Sequence, residues 1–576
     1  MAKELSRNEH IKEASRFLRG TIAEGLDDES TGGLVEDDQQ LLKFHGMYLQ
    51  DDRDLRAERT RKKMEKAFAF MIRVRMPGGV CTPAQWLALD EVARVYATPS
   101  MRMTTRETFQ FHGVLKFNVR AAIRTMNATL LDTIAACGDV NRNVIAASNP
   151  HQSGAHAAAY DLARQISARL LPKTSAYHEI WLDGEKVAGG EPKAEVVEPL
   201  YGTTYLPRKF KIAIAVPPSN DVDVFAHDLG FIAILDGKGA ITGWNVTVGG
   251  GMGMTHGDTN TYPRTGDVLG FCRTADVLKV AEAAMTVQRD WGDRSNRAHA
   301  RVKYTVEDRG LPAWRAEIER RIGKRLGDAK PFSFDGNGDR YGWHQSEDGR
   351  SHLTLFVENG RISDFPDGRR LMTGLRKIAE IHDGEFRMTA NQNVIIANIS
   401  KKKRKAIEKL VTEHGLTSEA SALRRNAMAC VALPTCGLAL AESERYLPDL
   451  ITALEERLAV HGLAEKDIVI RMTGCPNGCA RPYIAEIGLV GRGPGRYNLY
   501  LGAAFDGSRL SKLYREDLDH DGILATLDPL FAAFAAEREP KEHFGAFMIR
   551  TGRVAATTNG RDFHANTGPG SAAAAA

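Results

Sequence analysis

The stretch PSMRMTTRETFQFHGV at residues 99–114 has a counterpart, GEFRMTANQNVIIANI, at residues 384–399. Arg102-Met103-Thr104 aligns with Arg387-Met388-Thr389, and the apolar run that follows aligns as well. Each copy predicts two short strands, and each follows a segment whose apolar residues have helical spacing. The fold therefore depends on a pattern that occurs twice in the chain.

A second pair of segments repeats at nearly the same separation. Arg142-Asn143 matches Arg425-Asn426, 283 residues apart, whereas the first pair lies 285 residues apart. One matched tripeptide would be chance, and β–α patterns recur in any case. Two matches at one offset, each inside a similar helix–strand pattern, predict an internal duplication. A pseudo-two-fold arrangement would bring both arginine-rich strand pairs to one interface, where large ligands usually bind.

Length and composition exclude several classes of protein. The 576 residues exceed the roughly 250–300 at which single cores stop growing, so we expect more than one domain. The net charge of only +4 gives no bulk field for nucleic acid or membrane. The N-terminus lacks the apolar core of a signal peptide, and no apolar window predicts a spanning helix. We expect a cytoplasmic protein with no nucleic-acid or membrane partner.

The two ends of the chain have unusual compositions. Residues 1–65 are polar, partly acidic and poor in apolar clusters, so we interpret them as an extended arm that contacts a partner. Deleting residues 1–60 would then abolish association but leave the chain's own activity. The sequence GSAAAAA at the C-terminus has low complexity and predicts a disordered tail at residues 566–576.

Four of the seven cysteines fall in two pairs, Cys430 and Cys436 (C-x5-C) and Cys475 and Cys479 (C-x3-C). Both pairs lie among turn-forming residues, so unliganded core cysteines fit poorly. Structural zinc prefers two to four residues between paired cysteines, so the first pair fits zinc poorly too. A four-thiolate iron–sulfur cluster fits best, because the neighbouring glycines let the backbone curl round a bulky group. The scattered cysteines, interpreted as small buried thiols, are Cys81, Cys137 and Cys272.

The cysteine pairs, the duplicated strand pair, NRNV (141–144) and PRKFK (207–211) resemble the sirohaem- and 4Fe-4S-containing sulfite and nitrite reductases. The resemblance runs from about residue 15 to residue 560. The stretch FHGMYLQDDRDLRAER (44–59) looks closest to the members of this family that work with a flavoprotein. No ligand or anion-site position departs from the family's pattern.

The resemblance implies an α+β fold that is internally duplicated. Pseudo-two-fold related ferredoxin-like and α+β units would hold sirohaem and the iron–sulfur cluster at their interface. The implied units after the arm are a ferredoxin-like half-domain at 66–140, a sirohaem-binding α+β domain at 141–330, a second ferredoxin-like half-domain at 331–420, and a second α+β domain with the cluster cysteines at 421–565.

The resemblance also implies an activity, the six-electron reduction of sulfite to sulfide for cysteine biosynthesis. Single electrons suit a cluster coupled to the haem better than a nicotinamide. The glycine-rich VGGGMGM (248–254) does not fit a nucleotide-binding motif and predicts a loop. NADPH electrons would therefore arrive through a flavoprotein alpha subunit with FAD and FMN, in a hetero-oligomer. The alternatives are a ferredoxin-dependent sulfite or nitrite reductase of the same family and, from another class, a zinc-bound scaffold.

The site residues are carried over from the family's pattern. All four paired cysteines would bind the cluster, and Cys479 would also be the axial ligand of the sirohaem iron. The cations implied at the sulfite site are Arg73, Arg142, Lys209 and Lys211. Lys209 and Lys211 are two apart, so on a strand they would share one face. The candidates for the carboxylates of the macrocycle are Arg102, Thr104, Arg106, Gln110, Arg301, Lys303, Asn391 and Gln392.

Overall fold

Two five-stranded antiparallel sheets repeat one strand order. Sheet A contains, in spatial order, Met47–Asp51, Phe68–Arg73, Phe109–Val114, Met101–Met103 and Arg361–Ile362. Sheet B contains Gly342–Gln345, Ser351–Leu355, Val394–Ile399, Glu385–Met388 and Val80–Cys81. The last strand of each sheet comes from the other copy, and it pairs with the strand that carries the repeated Arg-Met motif. The two copies therefore exchange an edge strand.

Two further sheets also match each other. Sheet C contains Asp267–Cys272, Ile241–Val248, Leu229–Leu235, Ile212–Ala215 and Ile145–Ala146. Sheet D contains Lys512–Leu518, Arg496–Leu501, Ile487–Gly493, Ile470–Thr473 and Ala427–Ala429. In both, the last three strands are parallel and the first two are antiparallel additions. The predicted internal duplication and α+β class are confirmed.

This computed structural model describes residues 4–148, 153–173, 179–182, 185–189, 198–346, 348–417, 419–557 and 560–564. The predicted tail at 566–576 lies outside these ranges. A hairpin of Glu179–Leu182 and Glu185–Gly189 stands apart from the four sheets.

Sixteen α-helices surround the sheets in the described ranges. They are Arg7–Glu13, Ile22–Asp27, Glu36–Leu41, Arg56–Arg61, Pro83–Glu91, Val119–Asn127, Gly154–Arg169, Val277–Trp291, Val302–Arg309, Leu311–Ile322, Leu371–Ile381, Lys401–Glu413, Ala422–Arg425, Leu447–Val460, His520–Glu537 and Phe544–Arg550. Within those ranges, none of the helices combines the length and apolar character needed to cross a membrane. Thr82 shows how sequence sets a boundary, because it caps Pro83–Glu91 through a capping box with Gln85.

The N-terminal segment differs from the extended arm that its composition predicts. Its described part contains four helices and the edge strand Met47–Asp51 of sheet A, and Phe44 belongs to the main hydrophobic core. The buried Lys12 ammonium donates to the Leu206 carbonyl at 2.9 Å and pairs with Glu9. The polar composition predicted an exposed arm, but charged side chains such as Lys12 and Glu9 are paired inside the protein. A partner contact by this segment stays a prediction.

We expect deletion of residues 1–60 to destabilise the fold, and not only to remove a contact with a partner. The deletion removes an edge strand and several core side chains, each worth roughly 1.5–3 kcal/mol when buried. Soluble yield and the thermal unfolding midpoint check this. A truncated chain that melts at the full-length temperature would contradict it.

One buried ion cluster joins the two copies. The Asp223 carboxylate accepts from Arg471 Nη1 at 2.6 Å and from Arg481 Nε, and all three side chains are at most 5% exposed. Burial alone raises the pKa of Asp223, but Arg471 and Arg481 outweigh it and hold the pKa below its usual value. Asp223 and Arg481 also occupy matching places, each with positive φ before a short 3-10 turn. Opposite charges thus meet across the pseudo-two-fold axis.

We expect Asp223→Asn to destabilise the fold by about 3–5 kcal/mol, because it leaves two buried guanidinium groups without a charged partner. The urea midpoint of unfolding measures this. The matched control is Glu516→Gln, which breaks an exposed pair with Arg492 and should cost about 0–1 kcal/mol. Equal midpoints for the two variants would contradict the role of the ion cluster.

Candidate active site between the two copies

A cleft lies between the two copies. Its volume is about 360 Å³ when the space at its open mouth is included. The arginine, lysine and cysteine side chains that line it are Arg106, Lys209, Lys211, Arg301, Cys479 and Arg481. The first four belong to the first copy and the last two to the second. Five cations and one thiol therefore face a single space.

Lys209 and Lys211 have too little negative charge nearby to balance their own positive charge. Burial, then Lys211 and Arg208, lower the pKa of Lys209 well below its ordinary value. Burial, then Arg301 and further positive groups, lower the pKa of Lys211 to about 7, although Asp228 and Cys479 act in the opposite direction. Buried charge of one sign is costly unless a counter-charge is present. The cleft is therefore built to receive an anion.

The segment that carries the lysines is fixed by backbone pairing. Phe210, which lies between Lys209 and Lys211, donates its N–H to the Val140 carbonyl and accepts from the Arg142 N–H at 2.8 Å. Asp228 accepts from the Lys211 backbone N–H at 3.0 Å and from the Arg301 guanidinium at 2.9 Å. The regular strand begins only at Ile212, yet both lysines line the cleft, as the predicted shared face requires.

Arg73 and Arg142 stand beside the cleft lining. Arg142 donates from Nε to the Gly138 carbonyl at 2.7 Å and belongs to the cations that lower the pKa of Lys209. Arg73 ends strand Phe68–Arg73 and is partly buried. Burial alone lowers the pKa of Arg73, but Cys137, Tyr48 and Cys479 outweigh it and raise the pKa. The structure thus places the four predicted anion-site cations in one group near Cys479.

The two cysteine pairs follow neighbouring parallel strands. Cys430 comes directly after Ala427–Ala429, and Cys475 follows Ile470–Thr473, so both pairs lie at the same edge of sheet D. The Gly474 N–H points at Cys430 Sγ at 3.4 Å, and Asn477 Nδ2 points at Cys475 Sγ at 3.4 Å. Donors aimed at sulfur suit thiolates that bind a cluster.

The four thiols lie within electrostatic reach of one another. Burial raises the pKa of Cys430, and Cys479, Cys475 and Cys436 raise it further. No three histidine, cysteine or acidic side chains of the described residues are arranged round a single metal ion. A four-iron cluster takes one thiolate on each iron, so its ligands surround a larger centre. Gly478, with φ +62° and Met252 O only 3.0 Å from where a Cβ would be, permits this tight loop.

Two of the eight macrocycle candidates line the cleft, Arg106 and Arg301. Arg106 donates from Nη2 to the Ile212 carbonyl and contacts His227 at 3.2 Å, while its buried Nε has no partner among the described residues. A guanidinium with an unused donor beside the cleft fits an anionic ligand such as a macrocycle carboxylate.

Arg102 and Lys303 are engaged by the protein instead. Arg102 donates to Glu444 at 2.8 Å and to the Ala429 carbonyl at 2.9 Å. Lys303 directs its three donors at the carbonyls of Gly251, Gly253 and Tyr262, and so orders the predicted glycine-rich loop. Met254 of that loop donates to the Pro476 carbonyl. Both cations therefore support protein segments, and their geometry gives no support to macrocycle contacts.

The remaining candidates also have partners within the protein. Thr104 accepts from the Arg106 N–H, Gln110 faces Arg73, Asn391 donates to the Asn337 carbonyl, and Gln392 donates to the Ala429 carbonyl. None of these four lines the cleft as described. Their assignment to sirohaem stays a prediction.

Sequence reasoning missed three residues at this site. Cys137, interpreted as a bland thiol, touches Arg73, and Asp223 and Arg481 pair across the interface. A signal existed for the last two, because Asp223 and Arg481 lie 258 residues apart, the same separation as the matching strands at Ile212 and Ile470. Cys137 has no such signal, since its contact depends on tertiary structure.

Comparisons with known proteins agree with the duplicated fold. The family model described as "Nitrite and sulphite reductase 4Fe-4S domain" matches residues 162–326, and "Nitrite/Sulfite reductase ferredoxin-like half domain" matches residues 62–129 and 344–414. The second model matches twice, as the duplication requires. Its two matches contain strands of sheets A and B.

Relatives of high identity share one name. "Sulfite reductase [NADPH] hemoprotein beta-component" of Methylobacterium sp. (strain 4-46) is 68% identical over 99% of this chain and 94% of its own. The protein of the same name from Shouchella clausii (strain KSM-K16) is 59% identical over 96% of this chain and 97% of its own. The solved structure of Mycobacterium tuberculosis NirA protein, at 24% identity, covers 95% of this chain and 97% of its own with a TM-score of 0.78, which shows the shared fold. The chain belongs to the nitrite and sulfite reductase family.

Proposed function

We propose that the chain is the haemoprotein subunit of an assimilatory NADPH-dependent sulfite reductase, which reduces sulfite to sulfide for cysteine biosynthesis. The observation that carries this proposal is the partly buried pair Lys209 and Lys211, which line the cleft beside Cys479 without matching negative charge. The shared name of relatives at 59–68% identity supports sulfite as the substrate. The alternative is a ferredoxin-dependent sulfite or nitrite reductase of the same family.

The residues present fit the two cofactors of this family. Cys430, Cys436, Cys475 and Cys479 would hold the 4Fe-4S cluster, and Cys479, which also faces the cleft, would hold the sirohaem iron as well. Arg106 and Arg301 are the best placed partners for macrocycle carboxylates. When bound, the two groups would supply electrons to sulfur one at a time.

The chain's own cations would bind and orient sulfite. Lys209 and Lys211 face the cleft, and guanidinium groups such as Arg73 and Arg142 suit the oxygens of a small dianion. An ammonium whose pKa is lowered to about 7, as in Lys211, can give a proton to a departing oxygen near neutral pH. The bound anion would raise that pKa and keep the group protonated until transfer.

The proposal includes a partner, a place and a division of the chain. We infer a partner subunit, because the relatives are named as beta-components. We propose that this partner is a flavoprotein alpha subunit with FAD and FMN, and that the hetero-oligomer works in the cytoplasm. The matched sheet pairs support half-domains at 66–140 and 331–420 and larger α+β units at 141–330 and 421–565.

We expect Lys211→Met to lower kcat/KM for dye-driven sulfite reduction by about 10²–10⁴-fold, the usual contribution of a general acid. The haem spectrum should stay unchanged, because Lys211 is not assigned to cofactor binding. The control is Lys238→Met, which changes an exposed lysine in a turn and should keep full activity. Full sulfite turnover by Lys211→Met would sink the proposed anion site.

We expect Cys479→Ser to lose the coupled haem–cluster signature in absorption and electron paramagnetic resonance spectra, because one thiolate would serve both groups. Cys272→Ser is the control, since that buried thiol lies at the end of a strand of sheet C. A wild-type spectrum with wild-type activity in Cys479→Ser would refute the assignment of the shared ligand.

A further inference from the structure

Two side chains without a carboxylate, Cys137 and Gln110, hold the guanidinium of Arg73. Arg73 Nη1 donates to Cys137 Sγ at 3.0 Å. With the Gln110 amide turned so that its oxygen faces the guanidinium, that oxygen accepts from Arg73 Nε at 3.2 Å and also from Nη2. Gln110 lies directly opposite Arg73 in the pairing of two strands of sheet A. All three nitrogens of the group are thus in contact with two neighbours.

Neither neighbour carries a carboxylate. An acidic partner would fix the guanidinium but also cancel its charge toward a third group. A thiol and an amide oxygen fix the plane of the group and leave its charge available. Arginine has five N–H donors, and these contacts use three of them, so two stay available for the oxygens of an anion.

Cys137 belongs to the short segment 137–140, which contacts Arg73 and Arg142 directly and contacts the two lysines through the backbone of Phe210. The Gly138 carbonyl, next in the chain, accepts from Arg142 Nε at 2.7 Å. The Val140 carbonyl accepts from the Phe210 N–H, between the two lysines. Gly138 has φ +86°, and a Cβ there would lie 2.9 Å from the Phe44 ring, so the segment has little freedom. A shift of Cys137 would move both arginines relative to the cleft.

We propose that Cys137 and Gln110 are positioning residues that aim the charged guanidinium of Arg73 at the substrate anion without neutralising it. This inference rests on the proposed function, since it concerns the same anion site. Cys137 is fully buried, so its role is contact with Arg73 rather than reaction with solutes.

The first variants remove or retain the contact to sulfur. In the cofactor-loaded chain, Cys137→Ala removes the acceptor and should raise KM for sulfite by about 10-fold, the effect of losing one hydrogen bond to a charged group, with a smaller change in kcat. Cys137→Ser retains an acceptor and should recover part of the loss. Cys272→Ala is the control for removal of a buried thiol elsewhere and should leave KM unchanged.

A second variant separates aiming from simple structural support. Gln110→Glu keeps an oxygen against Arg73 and strengthens the contact, but it neutralises the guanidinium. We expect it to raise KM for sulfite by at least about 10-fold and to weaken phosphate binding, followed by the haem spectrum, to the same extent. A residue with only a structural role would tolerate this change.

The outcomes are distinct for the two proposals. A KM within about twofold of wild type in both Cys137→Ala and Gln110→Glu would overturn the positioning role while leaving sulfite reduction intact. If the loaded wild-type chain fails to reduce sulfite, the proposed function falls, and phosphate affinity still decides the positioning role. Phosphate binding weakened about 10-fold in the variants supports that role, and unchanged affinity overturns it.

Discussion

The ion cluster of Asp223 with Arg471 and Arg481 sets the relation between the two copies, on which the cleft depends. It is buried, it joins matching positions of the duplicated unit, and Arg481 itself lines the cleft two residues after Cys479. A buried charge without its partner is costly, so this contact disfavours any other placement of one copy against the other. The exchanged edge strands of sheets A and B act in the same direction.

The two copies carry different charges at matching positions. The first copy has Arg106 and Lys211, while the matching positions of the second have Asn391 and Val469. Four of the five cleft cations therefore come from the first copy, and the four paired cysteines come from the second. The anion cleft arises where the cationic face of one copy meets the thiol face of its counterpart.

The duplication, the α+β class and the cysteine pairs could be predicted from the sequence because they are periodic or local patterns. The folded N-terminal segment could not, since its buried charges have partners far away in the chain, such as Asp139 for Lys12 and Arg294 for Glu9. The partners of Arg102 and Lys303 were missed for the same reason: residue type shows that a cation needs a partner, but tertiary packing chooses which one. Cys137 resembled any other buried thiol until Arg73 was placed beside it.

The most direct measurement is the product balance of the purified, cofactor-loaded chain with a reduced dye, first on sulfite and then on nitrite, together with its absorption spectrum. We predict a sirohaem spectrum and complete conversion of sulfite to sulfide, because the cleft holds the substrate through all reduction steps. Strong nitrite turnover with feeble sulfite turnover would contradict sulfite as the substrate. A loaded chain that reduces neither anion would contradict a catalytic cleft around Cys479.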